Sequence, residues 1–132
     1  MKIFIDTSAF YAMFDIDDAL HTKSIKLLNK IPDTSQLFTS SEVIGETLTL
    51  LSMRIGKSKA VEIFKDILIY VETIMIDIEI FNNSLERFVS IKSKNISFVD
   101  CTSFAICEKF KMDFVFGFDK DFEKEGFNLF QL

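Results

Sequence analysis

The chain has 132 residues, 48% of them apolar and 27% charged, the make-up of one ordinary globular domain with enough length to bury a single core. One Pro, four Gly and two Cys exclude a collagen-like, disordered or disulfide-stapled chain. Fifteen basic against 20 acidic residues leave a net charge of −5, which excludes a basic coat for non-specific nucleic-acid binding and leaves the acids to be explained.

Lys2 to Ile5 reads as a strand that ends at Asp6, with a helix starting near Ser8. This apolar start is too short for a secretory segment. Asp18 to Ile31 carries Leu20, Ile25, Leu27, Leu28 and Ile31 at helical recurrence, with Lys23, Lys26 and Lys30 on the wet side, and Pro32-Asp33 stops it. His21, the lone histidine, is expected on the surface of that helix. Gln36 to Thr39 is a second strand, and the Thr39/Glu42 spacing predicts a capping box for a helix running to Ile55 before Gly56. Ser58 to Val71 reads as an amphipathic helix, whose apolar run Ile67 to Val71 is far short of the about 20 residues that cross a bilayer. Thr73 to Ile76 is a third strand, and Ile78 to Ile91 and Asp100 to Lys111 are helices. Cys101 and Cys107, six apart on the last of these, fall on different faces and cannot pair, which suits a reducing, cytoplasmic setting. Strand Phe114 to Phe118, a short helix from Asp119 to Glu125 and a last strand at Asn128 to Phe130 complete the chain.

This alternation predicts an α/β fold, a single domain over residues 1–132 with a mainly parallel central sheet flanked by helices. Ligands of such sheets bind beyond the carboxyl ends of the strands, where Asp6 and Asp119 fall. Asp100 opens a helix just after Phe98-Val99. Glu46 lies on a stripe with Val43, Leu50 and Met53 that is expected to face the interior, where an unpaired acid is out of place. Local structure offers competing roles: Asp6 and Asp100 as helix N-caps, Asp119 as a turn former. Glu42 is accounted for by the capping box. Several carboxylates meeting at one sheet edge would repel one another unless a cation offset them. Oxygen ligands without His or Cys select Mg²⁺ or Mn²⁺, and a carboxylate-held divalent pair suits in-line displacement at phosphorus.

The residues around these acids resemble a known family. Ile5-Asp6-Thr7-Ser8-Ala9-Phe10 resembles the opening motif of PIN-domain ribonucleases, which include the VapC-type toxins of toxin–antitoxin pairs. Thr39 to Leu48, with Glu46, is similar to the second motif, and Ser97 to Ala105, with Asp100, to the third. Gly117-Phe118-Asp119-Lys120-Asp121-Phe122 resembles the fourth, and all four stand in the family's order. The resemblance implies a PIN-like three-layer fold and a pocket of Asp6, Glu46, Asp100 and Asp119 holding Mg²⁺ or Mn²⁺, with Asp6 and Asp100 as the principal ligands. It implies Ser8 as a support for the first acid, Asp121 as an accessory acid, and metal-assisted attack of water on single-stranded RNA that leaves 5′-phosphate and 3′-hydroxyl ends. A cognate antitoxin and a homodimer are the partners it implies, and no membrane. Phe118 departs from the polar residue many members carry before the fourth acid. Arg54, Lys57 and Lys59 cluster around one turn as candidate RNA contacts, and Lys92 with Lys94 forms a second basic patch.

Other readings fit less well. A haloacid-dehalogenase-like phosphatase needs an Asp where Ser8 stands, and a receiver domain needs paired acids where Asp6 stands alone. A catalytically idle interaction module of the same fold would have no use for all four acids, and a stand-alone RNA-processing nuclease would share them. The 16 Phe residues are mostly core, with Phe98, Phe104, Phe114 and Phe116 at core spacing.

Overall fold

The computed structural model describes residues 1–131. Four strands, β1 (Lys2–Ile5), β2 (Gln36–Ser40), β3 (Glu72–Ile74) and β4 (Phe114–Phe116), form one sheet in the order β3-β2-β1-β4, with every pairing parallel. Parallel neighbours require a crossover, and here each crossover is a pair of helices. These are α1 (Thr7–Phe14) and α2 (His21–Lys30), then α3 (Ser41–Ile55) and α4 (Lys57–Tyr70), then α5 (Ile78–Ser90) and α6 (Phe98–Lys109). A single turn of helix, α7 (Asp121–Lys124), follows β4. The expected α/β class with a parallel sheet flanked by helices is therefore the observed one.

Ile3, Phe4 and Ile5 of central β1 are all buried, as a parallel strand covered on both faces requires. They pack with Phe10, Phe104, Ile106, Val115, Phe116 and Phe122 in the main core, while Leu51, Ala60 and Phe64 make a smaller cluster where α3 meets α4. Helix α6 is buried from Cys101 to Cys107, so both cysteines are buried free thiols.

Several boundaries differ from the sequence reading for physical reasons. The cap of α3 is Ser40, whose Oγ accepts from the Val43 N–H, so the Thr39/Glu42 box does not form. Thr39 stays in β2 and donates its hydroxyl to the Ile5 carbonyl. Helix α6 begins at Phe98 with Ser97 as its cap, which places Asp100 at the third helical position instead of the cap. Residues 15–20 are turns, in which Asp15 and Asp18 accept from the N–H groups of Asp17 and Leu20, and α2 starts only at His21. That histidine is half-buried, with Nδ1 2.8 Å from the Ala12 carbonyl oxygen, not a surface residue. Asn128 to Phe130 supplies one isolated parallel bridge, Val115 to Leu129, in place of a full strand.

From β1 the chain winds outward to β2 and β3, then crosses back to place β4 on the other side of β1. The crevice beyond the carboxyl ends of β1 and β4 is thus the topological switch point, where open parallel sheets bind ligands.

Candidate active site

Asp6 directly follows β1, and its backbone N–H extends the sheet by donating to Phe116 O of β4 at 2.9 Å. Asp119 lies three residues past the end of β4. Glu46 sits in the second turn of α3 and Asp100 in the first turn of α6, because helices that return antiparallel to the sheet present their N-terminal turns at the same edge. Asp6, Glu46, Asp100 and Asp119 line one open cleft of about 390 Å³ together with Thr7, Ser8, Tyr11, Asp18, Leu20 and Leu50. The stripe expected to bury Glu46 does not do so. Val43, Thr47 and Leu51 are the buried positions of α3, while Leu50 and Met53 are 43% and 82% exposed. Glu46 is half-buried beside them, on the flank that meets the cleft.

Asp6 is the deepest of the four, 5% exposed. Burial, and then the charge of Asp100, raise its pKa to about 7, against the pull of neighbouring hydrogen bonds that include Ser8. Burial is also the leading cause that holds Asp100 above its ordinary value. The bonds from Ser97 oppose it, and Glu46 and Asp121 add to it. Asp119 is raised as well, by burial first and then by Asp121 and Asp100. The mutual repulsion anticipated for acids gathered at a sheet edge is thus present in the bare protein.

Three of the four acids are held by hydrogen bonds. Ser8 donates to Asp6 Oδ2 at 3.1 Å, and the same hydroxyl accepts from the Phe118 N–H at 2.9 Å. Asp100 Oδ2 accepts from the Ser97 N–H at 2.9 Å, while Ser97 Oγ accepts from the Asp100 N–H at 3.0 Å, a reciprocal capping box. Asp119 Oδ1 accepts from the Asp121 N–H at 2.9 Å and so shapes its turn as expected. Asp6 occupies a cap position without a capping hydrogen bond from its side chain. Gly117 is closely approached, since a Cβ there would stand 3.1 Å from Asp6 Cβ and 3.3 Å from Ser8 Oγ and would push on both.

Asp121 stands at the start of α7 with Lys124 Nζ 3.5 Å from its carboxylate, close enough to influence Asp100 and Asp119 but not part of the cleft lining. Arg54 is engaged elsewhere: its Nε lies 3.2 Å from Oδ2 of Asp15, whose side chain is 4% exposed. Lys57 and Lys59 are exposed at the start of α4, and Lys92 and Lys94 are exposed in the loop after α5. None of these basic residues lines the acidic cleft.

The donor set, carboxylates with hydroxyls and no His or Cys, fits a hard divalent cation. The buried Thr7 hydroxyl at the cleft, which has no protein partner, adds an uncommitted oxygen. Among the described residues no group of three or more His, Cys, Asp or Glu is arranged to hold an ion by itself.

Thr7, Tyr11, Asp18, Leu20 and Leu50 also belong to the cleft and are not among the site candidates of the sequence reading. A signal for two of them was available: Tyr11 is one turn from Ser8 along α1, and Leu50 one turn from Glu46 along α3.

A parallel α/β sheet with four carboxylates over its switch point defines the class, and the chain belongs to it: residues 3–128 match the PIN domain family. Among individual relatives, it is 36% identical over 128 residues, 95% of each chain, to the 23S rRNA-specific endonuclease VapC20 of Mycobacterium tuberculosis. The crystal structure of that protein, described as a sarcin–ricin-loop-cleaving toxin, superposes with a TM-score of 0.86 at 33% identity over 95% of both chains. VapBC2 of Rickettsia felis, bound to a DNA fragment from its promoter, shares the fold at a TM-score of 0.70 and 16% identity, over 100% of this chain and 98% of that one.

Proposed function

We propose that this chain is a divalent-metal-dependent endoribonuclease that hydrolyses phosphodiester bonds of single-stranded RNA as the toxin of a toxin–antitoxin pair. The observation that carries the reading is the meeting of Asp6, Glu46, Asp100 and Asp119 in one cleft at the sheet switch point. Membership of the PIN family and the likeness to VapC20 support it.

In this reading Asp6 and Asp100 would be the main residues holding Mg²⁺ or Mn²⁺, directly or through waters, and Glu46 and Asp119 would complete the pocket. When bound, the ion supplies an activated water and offsets charge that develops on the phosphate. The chain's own work is positioning. Ser8 commits one carboxylate oxygen of Asp6 to a fixed direction, and the Ser97 box does the same for Asp100. Because Asp6 releases its proton only near pH 7 in the bare protein, a cation competes with that proton for the same carboxylate. Asp121 is an accessory acid that tunes Asp100 and Asp119 by charge. Lys57 and Lys59 are candidate contacts for RNA beyond the cleft, with Arg54 beside them.

The partners proposed are a cognate antitoxin and a second copy of the chain. Phe81, Leu85 and Phe88 of α5 are 43%, 46% and 46% exposed at helical spacing, and they are the proposed contact between copies. No helix among the described residues is long and apolar enough to cross a membrane, and a cytoplasmic site of action is proposed.

The deciding experiment is cleavage of 23S rRNA by the purified chain with Mg²⁺ or Mn²⁺, beside EDTA and beside Asp6→Asn. Discrete cuts that vanish in both controls are expected. Cleavage that persists in Asp6→Asn and in EDTA would overturn the assignment.

A further inference from the structure

The acidic cleft has a second, chemically different wall. Tyr11 from α1, Leu20 from the turn before α2 and Leu50 from α3 line it beside the carboxylates, with Asp18, whose Oδ1 accepts from the Leu20 N–H, at its edge. Leu20 and Leu50 are 38% and 43% exposed. Single exposed apolar residues on a surface mean little, but these arrive from three separate segments and meet at one site.

The meeting is built into the helix faces. Ser8, Tyr11 and Asp15 follow one another along one face of α1, and Glu46, Leu50 and Arg54 along one face of α3. The Asp15–Arg54 ion pair shows that these two faces look at each other. Tyr11 and Leu50 therefore stand between the acids at one end and the ion pair at the other, one helical turn from each. Tyr11 is half-buried and packs against the Leu51, Ala60 and Phe64 cluster.

Each nucleotide of RNA is divided in the same way: a charged phosphate and a flat base with an apolar face. With the phosphate over the carboxylates and their cation, the neighbouring base has to leave the charged region. The nearest surface in the cleft that suits a ring face is the one formed by Tyr11, Leu20 and Leu50. Stacking of bases on aromatic and apolar side chains is tolerant of base identity, so this wall serves position more than sequence choice.

We propose that Tyr11, Leu20 and Leu50 form a shelf that holds the nucleobase next to the scissile phosphate. The inference rests on the ribonuclease reading and adds a substrate subsite to it. Its test uses the full chain with Mg²⁺ and an RNA oligonucleotide spanning a cut mapped in 23S rRNA. Single abasic nucleotides are placed on either side of the cleaved bond. For the parent, removing the base on one side should raise KM at least about tenfold with a smaller change in kcat. Leu50→Ser, at an exposed position, should raise KM for the intact RNA and show little added penalty for the abasic one, which is the non-additivity expected of groups in contact. The same pattern is expected in fluorescence anisotropy of labelled RNA bound to the non-cleaving Asp100→Asn protein, with and without Leu50→Ser. Equal abasic penalties in parent and Leu50→Ser, or none in either, overturn the shelf while the parent's cleavage leaves the nuclease reading in place. A parent that cuts no RNA with either metal overturns that reading and the shelf together.

Discussion

Ser8 serves two neighbours with one hydroxyl, orienting the Asp6 carboxylate and accepting the N–H that begins the turn toward Asp119. Ser8→Ala should leave the fold intact and lower cleavage by about 10–100-fold, the usual cost of losing a group that orients a metal ligand, as read from initial rates. Gly117→Ala acts on the same spot through volume. The added methyl meets Asp6 and Ser8, so a loss of roughly 1–3 kcal/mol in urea unfolding is expected. Asp6 also makes the metal-free protein sensitive to pH. Its folded pKa, near 7, lies above the ordinary 3.8, so the native state holds a proton that the unfolded chain has released. Stability from this group is therefore full below about pH 3.8 and is lost as pH rises through about 7, on the order of 4 kcal/mol in all. Melting in EDTA between pH 4.5 and 8 should show that decline, and Asp6→Asn should flatten it.

At the scale of elements, the helix starts do more than begin helices. Ser97 caps α6 and at the same time directs Asp100, so Ser97→Ala should cost about 1 kcal/mol of stability and also weaken metal-dependent cleavage. Asp100→Ala would remove the reciprocal half of that box. The Asp15–Arg54 pair ties the end of α1 to the end of α3. Asp15 is almost fully buried and Arg54 is 57% exposed, so solvent screens much of the pair's attraction. Arg54→Ala would leave the buried carboxylate without its cation. A loss of roughly 1–2 kcal/mol is expected by thermal or urea unfolding, since an unpartnered buried group carries its desolvation cost. Arg54→Lys, which keeps the charge, should lose less.

For the whole molecule, the proposed metal site would couple folding to cation binding. Divalent metal should raise the melting temperature of the parent in proportion to the logarithm of its concentration above Kd, since it binds the native state alone. Asp100→Asn relieves repulsion with Asp6 and Glu46. That variant should melt higher than the parent in EDTA and gain less from Mg²⁺. If the parent and Asp100→Asn melt alike in both buffers, the acids do not act as one charged site. The α5 face belongs to the same scale, and Leu85→Glu should shift the chain to a smaller species in sedimentation while the cleft and its RNA cleavage chemistry stay intact.

Local patterns were enough for the strand–helix alternation, the parallel sheet, and the placing of Asp6 and Asp119 beyond strand ends, because hydrophobic period and chain order are written residue by residue. Local pattern also marks Glu46, as an acid on an apolar stripe, and Asp100, at a helix start, and the family motifs join the four acids into one pocket. What local pattern could not decide was which of two neighbouring groups takes a role. Ser40 caps α3 and not Thr39, because Thr39 is committed to the Ile5 carbonyl across the sheet. Ser97 caps α6 and frees Asp100 for the cleft. Arg54 looked like a free cation but is held by a buried Asp15 distant in sequence. Leu50 and Met53 looked like core alongside Val43, yet from Val43 the core continues to Thr47 and Leu51. The residues themselves carry the carboxylates and their order. Only the packing of β4 beside β1 and of α3 against α1 turns that order into one cleft with a charged floor and an apolar wall, since contacts between distant segments are set by tertiary competition for partners and not by local preference.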